Sequence, residues 1–185
     1  DQESLDTHRS FTSKYVINYK IIITKRWRYL KLHMYINALC KISEGELLLL
    51  WSDDAFIETP HWDTIMKKLY KGEKYIIYQF PNNHYPNFFP LISRAIYEKL
   101  GHFSLNAHND TWVERIGKEC GIMDQVPDVH MFHNLRSKDT ENSMYDDVNI
   151  DCRTTSPEFY SREVQLLLTE DIEKIKKLIE FEFSK

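Results

Sequence analysis

The sequence predicts an α/β domain with a mostly parallel central sheet. Strand patterns alternate with amphipathic helix patterns along the chain, which is typical of α/β folds. The apolar run at 47–51 lies between Gly45 and a group of acids, as expected of a strand that is buried on both faces. The chain has 185 residues, of which 42% are hydrophobic, and this is enough for one domain with its own core.

The remaining elements follow from periodicity and from helix-ending glycines. Alternating or continuous apolar runs predict further strands at 19–24, 74–80 and 126–132. Apolar residues recur at three- and four-residue steps in five segments, and this period predicts helices at 25–42, 62–69, 92–100, 110–120 and 163–183. Several of these segments are followed by Gly, which commonly ends a helix. We therefore predict one domain over 1–185 that ends in a charged helix.

Composition excludes several classes of protein. Lys and Arg total 24 against 28 Asp and Glu, a net charge of −4, which gives no general electrostatic footprint for nucleic acid. The three cysteines are widely spaced and form no CxxC pair, so the sequence indicates neither a thiolate zinc site nor a disulfide framework. A reducing, cytoplasmic location is the expectation, and no signal peptide or membrane-spanning stretch is recognisable.

Two adjacent carboxylates, Asp53 and Asp54, follow the predicted central strand. In open α/β sheets, ligands bind at the carboxyl ends of the strands. Neighbouring carboxylates repel each other unless a cation or hydrogen-bond donors lie between them, and Mg²⁺ is bound in this way together with substrate phosphates. The alternative is an ordinary turn, because Asp is a common turn residue, and for the pair alone the turn is favoured.

Four motifs, taken in their order along the chain, favour a binding site over an ordinary turn at Asp53 and Asp54. Asn37, Gly45 and the Ser52–Asp54 triplet come first, followed by FPLISRAIYEKLGHFS at 89–104, HNDTWVERIGKECGI at 108–122 and VPDVHMFHN at 126–134. Their order resembles that of glycosyltransferases that use nucleotide sugars and have the GT-A fold (family 2-like). The resemblance spans roughly residues 19–134.

The resemblance implies a Rossmann-like, three-layer α/β/α sandwich and a metal-assisted transfer of sugar. The donor would be a UDP- or GDP-sugar, the acceptor a hydroxyl of a carbohydrate or another molecule, and the metal Mn²⁺ or Mg²⁺. Asp54 and His133 are the implied metal ligands, and Asp110 is the implied catalytic carboxylate. Asp53 would hold the ribose or a water beside the metal. Asp110 would be the general base of an inverting reaction or stabilise the charged sugar of a retaining one.

The chain departs from the family pattern at two points. Ser52 stands where the family often has the first Asp of an Asp-x-Asp motif, which makes Asp54 the stronger metal candidate. An opening strand and helix for the nucleobase are not evident before residue 19, so we expect that unit either upstream of Asp1 or absent from a shortened variant.

The other candidates follow from the chemistry that a diphosphate requires. Arg28 and Lys31, at the start of the predicted helix 25–42, are candidate phosphate partners, and Asn37 on the same helix is a candidate nucleotide contact. The alternative for the two basic residues is a solvated helix start. His133 is preferred to His130, because residues three apart on a strand face opposite sides. The alternative for Asp110 is a helix cap.

Two other functions remain open. A metal-dependent phosphoryl- or nucleotidyltransferase would also combine acids, a metal and a nucleotide, although no GxxxxGK[ST] phosphate loop occurs. A non-catalytic module of the same fold that binds a nucleotide or a sugar is the third possibility.

Overall fold

The computed structural model describes residues 6–7, 9–10, 14, 19–25, 27, 29–51, 55–83, 89–133 and 157–184. A 3-10 turn at Tyr29–Lys31 leads into the first helix. The helices and strands of these residues, in chain order, are α1 Leu32–Ile42, β1 Leu47–Leu49, β2 Ala55–Ile57, α2 Trp62–Leu69, β3 Ile77–Gln79, β4 Leu91–Ser93, α3 Arg94–Leu100, α4 Asn109–Cys120, β5 Met123–Gln125, β6 Met131–His133 and α5 Arg162–Phe183.

The central sheet is mixed, in the order β1-β4-β3-β5. Strand β4 is antiparallel to both of its neighbours, β1 and β3, whereas β3 and β5 are parallel. Strands β1, β3 and β5 therefore point in one direction and β4 alone is reversed. The prediction of a mixed α/β domain is confirmed, but a sheet dominated by parallel pairs is not, because the reversed strand lies inside the sheet and contributes two antiparallel pairs.

Several predicted boundaries are wrong for reasons that the structure makes visible. Strand β4 was predicted as part of the helix that follows it, since a three-residue strand has too few residues for a two-residue period. Residues 19–24 belong to no strand, and α1 begins at Leu32 rather than at residue 25. A basic first turn at 25–28 opposes the helix dipole, which disfavours a helix there. Of the predicted strand 126–132, only the last two residues lie in a strand, β6, which begins at Met131. The exposed edge strand β5 lies before this segment and has no apolar pattern to reveal it.

Helices cover both faces of the sheet, and each face has its own hydrophobic cluster. Successive strand residues point to opposite sides. Thus Ile77 and Ile92 face α1, α3, α4 and α5, while Tyr78 and Leu91 face α2 and β6. Helix α4 approaches the sheet closely at Gly117, where an added Cβ would lie 2.8 Å from Cε of Met123. Glycine at this position therefore permits the packing of α4 on the sheet.

The long helix α5 is attached to the rest of the domain by a buried carboxylate. Asp171 is only 1% exposed. Its Oδ2 accepts a hydrogen bond from Nε1 of Trp112 at 3.1 Å and lies 3.4 Å from Nε2 of His102, while Oδ1 lies 3.4 Å from Nζ of Lys174. The group thus joins α5 to α4 and to the turn after α3, and removal of the carboxylate would leave a buried donor without a partner.

We expect the Asp171→Ala substitution to lower the free energy of unfolding by about 3 kcal/mol, because the buried indole N–H and the His102 imidazole both lose their acceptor. Urea unfolding followed by circular dichroism measures the loss. Asp171→Asn, which keeps an acceptor oxygen, should cost less. Glu170→Ala at the exposed neighbouring position is the control and should change stability by no more than about 0.5 kcal/mol. Equal losses in Asp171→Ala and Glu170→Ala would contradict the structural role of the carboxylate.

Candidate active site

The two-stranded sheet of β2 and β6 brings two parts of the predicted site together. Strand β1 ends at Leu49, and after Ser52, Asp53 and Asp54, which lie outside the described residues, the chain continues in β2. Ala55, the first residue of β2, pairs with His133 in the antiparallel register. The predicted metal ligand His133 therefore lies across from the residue that directly follows Asp54.

Helix α4 begins at the same edge of the central sheet. It leads into β5, whose first residue, Met123, pairs with Ile77, the first residue of β3. Strands β3 and β1 run in the same direction. Met123 and Ile77, at the starts of β5 and β3, therefore lie at one edge of the sheet, and β1 ends at the opposite edge. A 12-residue helix is about 18 Å long and packs back along the sheet, which carries its first turn to the edge where β1 ends. That turn contains Asp110.

Asp110 keeps part of its surface open to solvent, but enough protein surrounds it to change its ionisation. Its Oδ1 accepts a hydrogen bond from the backbone N–H of Thr111 at 2.7 Å. Burial raises the pKa of Asp110, and this outweighs the opposing effects of the hydrogen bonds from Thr111 and of the nearby His108. A carboxylate with a raised pKa is a better proton acceptor near neutral pH than an ordinary surface Asp. Asp110 is an acidic residue of the first turn of α4, as the alternative of a helix-capping sequence also predicts, and His108 occupies the N-cap position.

The two residues before Asp110 carry buried polar atoms that lack partners. Nε2 of His108 and Oδ1 of Asn109 make no hydrogen bond with any residue that the structure describes. Asn109 is 2% exposed and uses its Nδ2 to donate to the carbonyl of Ala107 at 3.0 Å. The His108 ring meets Phe159 edge to face at 5.4 Å. Because buried polar atoms are normally paired, these two atoms leave hydrogen-bonding capacity beside a carboxyl of raised pKa, and this makes the turn a candidate site.

Sequence reasoning missed Asn109. An Asn directly before a helix looks like an ordinary cap, and the sequence contains no signal that its side-chain oxygen is buried without a partner.

Asn37 holds the segment that leads to Asp110. Its Oδ1 accepts from the N–H of Phe103 at 2.7 Å and of Ser104 at 3.4 Å, and its Nδ2 donates to the carbonyl of Ser104 at 2.7 Å. Both ends of the amide are thus engaged within the protein, which gives Asn37 a positioning role between α1 and the segment before α4. Its direct contact with a nucleotide stays a prediction.

Asn83 fixes the end of β6 in the same way. Its Oδ1 accepts from the N–H of His133 at 2.8 Å, and its Nδ2 donates to the carbonyl of His133 at 3.2 Å. The His133 ring also lies against Phe89 at 5.3 Å. The sequence analysis did not identify this amide, whose partner is 50 residues away.

The remaining predicted residues are less constrained. Arg28 lies outside the described residues, and Lys31 is exposed at the end of the 3-10 turn that precedes α1. Among the residues that the structure describes, no three His, Cys, Asp or Glu side chains converge in a way that would hold a metal ion. The predicted partner of His133, Asp54, is not among them, so the metal pair stays a prediction.

No protein-family model, curated protein or solved structure matches the chain. None of the described helices is both long enough and apolar enough to cross a membrane.

We expect Asn37→Ala to lower the free energy of unfolding by about 1–3 kcal/mol, because backbone groups of Phe103 and Ser104 lose their partner. The amide hydrogen of Phe103 should also exchange with solvent at least about tenfold faster, which hydrogen-exchange NMR measures residue by residue. Lys41→Ala, an exposed position near the end of α1, serves as the control. An unchanged exchange rate at Phe103 in Asn37→Ala would contradict the positioning role.

The raised pKa of Asp110 predicts a dependence of stability on pH. Since the folded protein binds this proton more tightly than the unfolded chain does, the carboxyl destabilises the fold increasingly as pH rises from the unfolded pKa through the folded one. Asp110→Asn retains an oxygen that can accept from Thr111 but does not ionise. We therefore expect Asp110→Asn to be more stable than the wild type at pH 7, with a difference that shrinks as pH falls through the raised folded pKa and is lost below about 4, where the unfolded carboxyl is protonated as well. Urea titrations across this range measure it, and a constant difference would refute the assignment of the shift to burial.

Proposed function

We propose that the protein is a glycosyltransferase that transfers a sugar from a nucleoside-diphosphate sugar to an acceptor hydroxyl. The observation that carries the proposal is the pairing of Ala55 with His133, which brings a predicted metal ligand across from the residue that directly follows Asp54. Asp110, in the first turn of α4, supplies a carboxyl of raised pKa. An imidazole, a pair of carboxylates and a separate carboxyl of raised pKa would then serve one site. The motif order in the sequence supports the same function independently.

The donor atoms of the proposed site fit a hard divalent cation. The carboxylate oxygens of Asp54 suit Mg²⁺ or Mn²⁺, and the imidazole of His133 favours Mn²⁺ of the two. When bound there, such an ion supplies Lewis-acid stabilisation of the leaving diphosphate. Exposed Lys31 is available to the same anion from the start of α1.

The protein's own chemistry is the removal of a proton. Asp110 accepts the proton of the acceptor hydroxyl as the oxygen attacks the anomeric carbon of the donor sugar. The bond between that carbon and the diphosphate oxygen breaks, and the nucleoside diphosphate leaves with the bonding electrons. A general base works best when its pKa is close to the working pH, which the burial of Asp110 favours. This supports the base of an inverting reaction over a charge stabiliser that must remain ionised.

Isothermal titration calorimetry with UDP and GDP, in the presence and absence of Mn²⁺, tests the donor site. We expect one of the nucleotides to bind in a Mn²⁺-dependent manner, and we expect both Asp54→Ala and His133→Ala to lower its affinity at least about tenfold. Glu119→Gln, an exposed carboxylate near the end of α4, is the matched control and should leave binding unchanged. Failure of both nucleotides to bind the wild type would refute the proposal.

Hydrolysis of a panel of UDP- and GDP-sugars tests the chemistry without knowledge of the acceptor, since water replaces it. Asp110→Asn should lower the rate about 10²–10⁴-fold while nucleotide binding persists, because only the proton acceptor is lost. Glu119→Gln again provides the control. Release of pyrophosphate instead of a nucleoside diphosphate would favour the nucleotidyltransferase alternative, and binding without any turnover would favour the non-catalytic module.

A further inference from the structure

A shallow apolar groove opens beside the candidate site. Its volume is about 410 Å³. It lies between the end of β1, strand β2 and the start of α2, and it is lined by Leu49, Trp51, Ala55, Phe56, Ile57 and Trp62.

Large aromatic side chains of this groove are open to solvent. Trp51 is 41% exposed and Phe56 is 54% exposed. Phe132 pairs with Phe56 across β2 and β6 and is itself 37% exposed on the same face of that two-stranded sheet. Neighbouring aromatic side chains that the fold leaves in water indicate a surface that binds something.

The groove is continuous with the candidate site. Trp51 and Ala55, which both line the groove, are the residues immediately before and after the Ser52–Asp54 triplet. The Trp51 ring lies 6.2 Å from that of Phe89, which in turn contacts the His133 ring at 5.3 Å. A molecule in the groove would therefore contact the residues on both sides of the Ser52–Asp54 triplet.

The lining and the size restrict what the groove can hold. None of the six lining residues is charged, so the groove does not fit the diphosphate, whereas its aromatic and aliphatic side chains suit an apolar group. Its volume lies within the range of small-molecule sites, roughly 300–1,000 Å³. A protein partner would need about 800 Å² of surface on each side, which six residues around a shallow groove do not provide.

We propose that the groove binds the apolar group of the acceptor, an alcohol that carries an aryl or alkyl group close to its reacting hydroxyl. This rests on the proposed function, since only a transferase needs an acceptor beside the donor. The groove would hold the apolar group against Trp51 and Phe56 and leave the hydroxyl at the edge of the sheet, where Asp110 lies.

Titration with phenyl β-glucoside and methyl β-glucoside, followed by NMR, tests the proposal, since the two probes differ only in the apolar group. We expect the phenyl compound to bind at least tenfold more tightly than the methyl one. Trp51→Ala and Phe56→Ala should each lower the affinity for the phenyl compound about tenfold, with UDP or GDP binding unchanged. Phe181→Ala is the matched control, because Phe181 is 60% exposed on α5 and does not line the groove. Circular dichroism establishes that each variant is folded, and Phe56→Ala carries the test if Trp51→Ala is not.

Three results would overturn the proposal: equal affinities for the two glucosides, no binding of the phenyl compound, or an equal loss in Phe181→Ala. Dimerisation in sedimentation experiments that Phe56→Ala abolishes would also overturn it, because a second copy would then occupy the groove. Nucleotide binding without phenyl glucoside binding would refute the groove assignment alone. Phenyl glucoside binding without nucleotide binding would instead refute the proposed function and, with it, the acceptor assignment.

Discussion

The reversed strand β4 is the constraint on which the arrangement of the domain depends. It is hydrogen-bonded to both β1 and β3, and it therefore holds the sheet together at its centre. Because β4 is antiparallel to its neighbours, it ends at the edge of the sheet where β1 begins. At this edge Arg94 donates from Nε to the carbonyl of Gly45 at 2.6 Å and from Nη2 to the hydroxyl of Ser43 at 3.0 Å. Helix α3 then returns the chain to the other edge, where the segment fastened by Asn37 delivers the first turn of α4. A parallel strand in this place would have left the chain at the wrong end for Asp110 to reach the candidate site.

The helices could be predicted from the sequence more accurately than the sheet. Helix α2 has the predicted bounds, and α4 and α5 each begin one residue before the predicted start. Helix signals are local, since periodicity and a following glycine lie within the segment, and Gly121 ends α4 with a positive φ of 66°. The direction of a strand depends on its partners in space. Strand β4 joins residues more than 40 positions apart when Leu49 pairs with Leu91, and its own three residues carry no sign of their direction.

For the candidate site as well, local features could be predicted from the sequence, and features that depend on distant segments could not. Asp110 and His133 were visible in the sequence as residue types within a recognisable order of motifs. What the sequence did not contain was their environment: the burial that raises the pKa of Asp110, the unpaired oxygen of Asn109 and the amide of Asn83 that fixes β6. These properties arise only when distant segments come together. Asn37 was predicted as a nucleotide contact, which stays a prediction; its contacts within the protein could not be predicted, because they depend on a turn more than 60 residues away.

The separation of the core into two clusters has a consequence for the order in which the domain can be built. The cluster on the α2 side is formed by buried residues between Ala55 and Met131, all of which leave the ribosome before α5 is made. The opposite cluster requires Leu168, Ile172 and Ile175 of α5. Contact between these residues and β1 closes a loop of well over 100 residues, and this has a correspondingly high cost in conformational entropy. One face of the sheet can therefore be covered during synthesis, while the other remains incomplete until α5 emerges. During that interval the nascent chain exposes apolar strand residues, which makes this face the part of the domain with the greatest need of a chaperone.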